Sequence, residues 1–244
     1  MFRDFLTAVG FLTVLPVSRK SVGPERIASA TLFFPLVGLL MGLFLALADF
    51  FLKDILPRQV IDIFIVVFLA AITGGLHIDG LADTIDGLIG GRGDRNRTLA
   101  IMKDSRLGAM GAAGVVLLLM MKFIALDNIP TAYRPSALLL APAAARWSQV
   151  LVSFRSKPAR EGGIAAFIPF IEPWHLFFAT AMVVATVFFI SNSLGIAAFV
   201  LIALVTLGLK VFFGRAIGGI TGDVIGAVNE LNETLVLLVF TVML

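Results

Sequence analysis

Seven stretches of this chain are apolar enough to lie in a lipid bilayer, and no other feature limits its fold as much. A bilayer core takes about 20 apolar residues per helix. The stretches are Thr31 to Leu52, Val60 to Ile78, Gly108 to Leu126, Ser136 to Phe154, Trp174 to Ile190, Leu194 to Phe213, and Asp223 to Leu244. Charged residues make up 14% of the chain, against about 25% in a soluble domain. The mean hydropathy is +1.02. The reading is an all-α fold, a polytopic membrane helix bundle of about seven transmembrane helices in a single domain over residues 1–244. The opening MFRDFLTAVGFLTVLPVSRK reads as a short interfacial or re-entrant helix. Asp4 in its basic region and the lack of a small-residue cleavage site argue against a removed signal.

Lys and Arg set the expected orientation. Fourteen of them, including Arg3, Arg19, Lys20, Arg92, Arg95, Arg97, Lys157 and Arg215, fall on one side. Lys53, Arg58 and Arg134 fall on the other. The N-terminus is therefore expected in the cytoplasm and the C-terminus outside, in a plasma (inner) membrane. The net charge of +3 is explained by this asymmetry and gives no reason to expect a nucleic-acid partner. Membrane lipid is the expected surrounding, and a homo-oligomer is compatible with the sequence. There is no cysteine and there are two histidines. Disulfides, thiolate metal sites and cysteine nucleophiles are excluded, and a histidine-rich metal site is disfavoured. A hard cation bound by oxygen stays open.

The stretch GGLHIDGLADTIDGLIGG sets Asp79, Asp83 and Asp86 within eight residues and no Lys or Arg among them. If it is helical, the three carboxylates share about 60° of one face. They repel one another, and a charge at membrane depth is costly. A compensating divalent cation, with Mg2+ the best suited, removes both penalties. A second motif, GGITGDVIGAVNELNE, sets Asp223, Glu230 and Glu233 within about 80° in a helix. Gly222 and Gly226 form a small-residue packing stripe beside them. The bland alternative for each motif is a solvated helix end. Both motifs are expected on the cytoplasmic side, so bringing them together would give one chelating site, able to support a phosphoryl displacement.

Between them, Lys103 and Arg106 suit phosphate contact, and Asp104 suits a metal ligand or a base. Arg92, Arg95 and Arg97 read as topogenic charge. Arg146 lies inside the fourth stretch, where a charge is functional by default or a counter-ion to one of the acids. His77 reads as a packed residue, His175 as an interfacial one, and AREGG (159–163) as a turn.

In order along the chain, FFPLVGLLMG, GGLHIDGLADTIDG, IMKDSRLGAMG, AREGG and GGITGDVIGAVNELNE resemble the successive signatures of the cobalamin synthase family. The resemblance implies an adenosylcobinamide-GDP ribazoletransferase, a Mg2+-dependent phosphotransferase. It would join adenosylcobinamide-GDP to α-ribazole, or its 5′-phosphate, and release GMP, the last nucleotide-loop step of vitamin B12 synthesis. It further implies a metal held by Asp79, Asp83, Asp86, Asp223, Glu230 and Glu233. Lys103, Arg106, Arg160 and Thr221 would contact substrate phosphate. Asp104 and Asp86 are the first candidates for the general base. The first motif is also loosely similar to that of CDP-alcohol phosphotransferases, but their Ala-Arg is Ala82-Asp83 here. A cation-coupled transporter is the third alternative. It would need carboxylates deep on several spans, whereas the acids are expected on one face.

Overall fold

The computed structural model describes residues 1–17, 22–104, 106–190 and 193–242. Arg19 and Lys20, and the last two residues of the seventh stretch, lie outside the described residues. The helices are α1 (Phe2–Leu12), α2 (Pro24–Ala30), α3 (Phe34–Leu52), α4 (Arg58–Ile72), α5 (Leu76–Gly91) and α6 (Arg95–Ile101). They are followed by α7 (Ala109–Asn128), α8 (Arg134–Ser153), α9 (Pro173–Ile190), α10 (Ser193–Ala216) and α11 (Gly222–Val239). The described residues form no sheet, and one isolated bridge joins Pro158 to Ile220.

Three helices among the described residues are long and apolar enough to cross a membrane: Pro24–Leu52, α7 and α10. The number rises to five if each of two bent pairs counts as one span. The expectation of about seven spans is reduced for two reasons. The second stretch is not continuous. α4 stops at Thr73, and α5 leaves at 84° to it. Gly74 and Gly75 take φ of +62° and +74°. Their amides donate to Ala71 and Ala70 carbonyls at 3.0 and 2.9 Å, the left-handed glycine ending that closes a helix. The fourth and seventh stretches, as α8 and α11, are central helices. Almost all of α8 and most of α11 are buried, including polar groups. Residues that face protein on every side need not be apolar enough for lipid.

At 11 residues, α1 is too short to span a bilayer. It packs on α2 and α3, and the chain leaving it covers the α4–α5 break, where the Val14 amide donates to the Ile72 carbonyl at 2.9 Å. α8 packs against α3, α9, α10 and α11. The α3–α8 contact is a backbone approach permitted by Gly38 and Gly42. A methyl group on Gly42 would lie 2.5 Å from the Leu138 carbonyl oxygen, and one on Gly38 would strike the Pro142 carbonyl. Gly42→Val should therefore destabilise the protein by about 1–3 kcal/mol through overpacking. Gly208→Ala, whose methyl meets nothing within 4 Å, should cost nothing. Thermal unfolding of the purified variants in detergent checks the contrast.

Candidate active site

Both acidic motifs fold as helices, and the two helices cross. A methyl on Gly80 of α5 would lie 2.8 Å from the Asp223 carbonyl oxygen of α11, and one on Gly226 would lie 3.1 Å from His77 Cα. This antiparallel approach needs glycine, because any Cβ would push the backbones apart. It sets Asp83 within electrostatic reach of Asp79, Asp223 and Asp86, with Arg160 opposing them. Arg160 Nη2 donates to Asp223 Oδ2 at 3.0 Å, while its Nη1 is buried without a partner. Arg160 is held in place by its own loop. The Ala159 amide donates to the Ile220 carbonyl at 3.0 Å, and the Ile220 amide donates to Lys157 at 2.8 Å.

Asp86 joins the cluster with both oxygens engaged. It accepts from the Gly108 and Gly111 amides at 2.7 and 2.8 Å, capping the N-terminus of α7. An anion there is favoured by the exposed amides and the helix dipole. As a general base, Asp86 would have to give up these bonds. Asp104, the other base candidate, forms an exposed pair with Arg106 at 2.6 Å. The hydrogen-bonded Arg106 guanidinium holds the Asp104 carboxyl below the usual carboxylate range, which weakens it as a base. Lys103 is exposed. Thr221, expected to touch phosphate, is instead fully buried. Its hydroxyl caps α11 by accepting from the Val224 amide at 3.2 Å.

Glu230 and Glu233 do not belong to this cluster. Seven residues of helix put Glu230 about 10 Å deeper than Asp223. Both glutamates accept from the Lys122 ammonium of α7 at 2.6 Å, and Glu233 also pairs with Arg146 of α8. All four groups are buried. Gln149 extends this network, donating to Asn229 at 2.8 Å and lying 3.2 Å from His77 Nε2. A second buried group lies at the far end of α7 and α8. There Arg134 bonds Asp49 at 2.6 Å and also pairs with Asp62. The expectation that the acids all face one side is thereby overturned. The sequence reading missed Lys122, Asp49, Asp62 and the role of Arg134. The signal was present, since an ionisable residue inside an apolar run is a functional or paired group by default.

Among the described residues no three Asp, Glu or His side chains converge into a ready-made metal site. Asp79, Asp83 and Asp223 still fit a hard divalent cation by their chemistry, with oxygen donors and negative charge in excess of Arg160. Glu230 and Glu233 do not fit, because protein cations already neutralise them. Two clefts flank the cluster. One of about 780 Å3 lies at the α4–α5 break and has Asp79 in its wall. The other, of about 440 Å3, is lined by Arg160, Glu161 and Gly162.

A family model described as cobalamin-5-phosphate synthase matches residues 4–241. The chain belongs to that family. It is 42% identical over 240 residues to the adenosylcobinamide-GDP ribazoletransferase of Geotalea daltonii, covering 98% of this chain and 96% of the relative. The enzyme of the same name from Syntrophobacter fumaroxidans is 39% identical, covering 97% of each chain. That of Desulforamulus reducens is 35% identical, covering 97% of this chain and 95% of the relative. No solved structure matches the chain.

Lys122→Met in this family member should leave two buried carboxylates short of a counter-charge. Breaking a buried pair costs about 3–5 kcal/mol, so the thermal midpoint should drop sharply. The double variant Lys122→Met with Glu230→Gln should recover part of the loss, measured by the same unfolding transition.

Proposed function

We propose that this chain is a Mg2+-dependent transferase that joins adenosylcobinamide-GDP to α-ribazole or its 5′-phosphate with release of GMP. Family membership and the relatives' names support transferase activity in cobalamin biosynthesis. The observation that carries the reading for these residues is the Gly80–Asp223 crossing, which gathers two remote acidic motifs beside Arg160. In the proposed step the ribose 3′-hydroxyl attacks the phosphorus next to cobinamide. The new O–P bond forms as the P–O bond to GMP breaks, and the hydroxyl proton passes to a carboxylate of the cluster.

Asp79, Asp83 and Asp223 would hold Mg2+, which when bound supplies neutralising charge for the diphosphate and the departing GMP. Arg160 uses one nitrogen to fix Asp223, and the part-exposed remainder of its side chain lines the smaller cleft, where it would offer positive charge to a phosphate. Planar guanidinium geometry suits that double task. Asp86 holds the start of α7 against α5. Lys103 and Arg106 add positive charge near the mouth, where they attract anionic substrate. Such transfers depend on positioning and electrostatics rather than on a covalent intermediate. The cytoplasmic placement of this face rests on the Lys and Arg asymmetry.

Two measurements of GMP release with purified protein test the reading. Asp83→Asn should lose at least about 100-fold in rate while eluting and unfolding like the parent protein. Chelation should abolish turnover, and added Mg2+ should restore it. Near-normal turnover of a folded Asp83→Asn protein would remove the acid cluster from the mechanism. Arg160→Lys should raise the KM for adenosylcobinamide-GDP, because an ammonium cannot serve Asp223 and a phosphate in one plane.

A further inference from the structure

The two clefts beside the acids differ in chemistry, and the difference suggests a division of labour. The cleft with Arg160 is smaller, and its wall carries the Arg160 guanidinium beside Glu161 and the backbone of Gly162. The larger cleft is walled by Phe11, Leu76, Ile78, Leu107 and Val115, with Asp79 as its one charged lining residue. Its two threonine hydroxyls are already engaged, Thr13 donating to the Val9 carbonyl and Thr73 to Leu69. The Asp79 carboxylate is exposed and has no hydrogen-bond or ion-pair partner among the described residues. The cleft's volume of about 780 Å3 lies within the roughly 300–1,000 Å3 of small-ligand sites.

We infer that this cleft is the acceptor subsite. It binds a nucleoside through a flat apolar base on its aliphatic and phenyl walls, with a ribose hydroxyl directed at Asp79. The inference rests on the proposed transfer reaction and adds to it a location for one substrate. The other substrate fits poorly here. A corrin ring carries amide side chains around its rim, and an apolar wall would leave them without partners at considerable cost. On the Arg160 side, a diphosphate would meet the positive charge of a part-exposed guanidinium. The acid crossing lies between, so the hydroxyl and the phosphorus approach from opposite sides. On this reading α1 and the chain leaving it are part of the binding wall, since Phe11 and Thr13 both line the cleft.

The test fills the cleft. Ala112 lines it from α7, half-buried, and Leu107 stands at its rim, 65% exposed. Ala112→Phe and Leu107→Trp should each raise the KM for α-ribazole about tenfold or more and leave the KM for adenosylcobinamide-GDP within about twofold. Leu107→Trp, at an exposed position, keeps the test valid if Ala112→Phe does not fold. Equilibrium dialysis of α-ribazole alone should show binding to the parent protein and weaker binding to the filled variants, with no turnover needed. A parent protein that turns over, with folded variants whose α-ribazole KM is unchanged or whose donor KM rises equally, overturns the subsite and leaves the reaction standing. A parent protein that binds α-ribazole in the cleft but releases no GMP overturns the reaction and leaves the subsite. Absence of both binding and turnover overturns both.

Discussion

A charge inside a membrane bundle has to meet an opposite charge, and this constraint organises the molecule. Lys122, Arg146, Glu230 and Glu233 sit together at almost zero exposure. They come from α7, α8 and α11, so their ion pairs fix three helices to one another inside the bundle. Desolvation makes each charge expensive alone, and the quartet is tolerable because every member has a partner. Helix α11 is thereby held at a set depth. Its N-terminal Asp223 then falls beside Gly80 of α5.

Against that background the unpaired acids stand out. Glu230, Glu233, Asp49 and Asp62 all have an Arg or Lys within ion-pair distance. Among the described residues Asp79 and Asp83 have no ion pair, and Asp223 shares one arginine. The deep acids are closed by protein cations and do not form an open relay across the bundle, which disfavours ion transport. Among the uncompensated ones Asp79 lines the larger cleft, and Asp223 bonds the Arg160 that lines the smaller one. The fold pairs its deep acids and leaves Asp79 exposed and Asp83 and Asp223 half-buried, and on the proposed function these are the carboxylates open to a cation and a substrate.

Glycine does the complementary work. At Gly38 and Gly42 it lets α3 lie on α8, at Gly80 and Gly226 it lets α5 cross α11, and at Gly74 and Gly75 it ends α4 so that α5 can turn away. The broken stretch is what makes the larger cleft. A continuous helix from Val60 to Ile78 would have carried Asp79 to the end of a span, with no hollow beside it. Irregular backbone at such a depth is tolerated where it lines a cavity, and the α4–α5 break does so.

The sequence by itself determined that the chain is helical with apolar runs that fit a membrane protein, which motifs carry the acids, and which family it belongs to. Those properties are local or compositional: apolar runs, spacing along a helix, and short signatures such as HIDGLADTIDG. It also suggested that Arg146 could be a counter-ion. Only the tertiary structure decided which acids stay free. Glu230 and Asp223 look alike seven residues apart on one helix, and nothing in their spacing reveals that Lys122, more than 100 residues earlier, neutralises one of them and leaves the other to Arg160. The same holds for Thr221 as a cap and for the fourth and seventh stretches as buried central helices. Ion pairing and burial depend on which helices become neighbours, and that is set by long-range packing through a few glycines rather than by any local pattern.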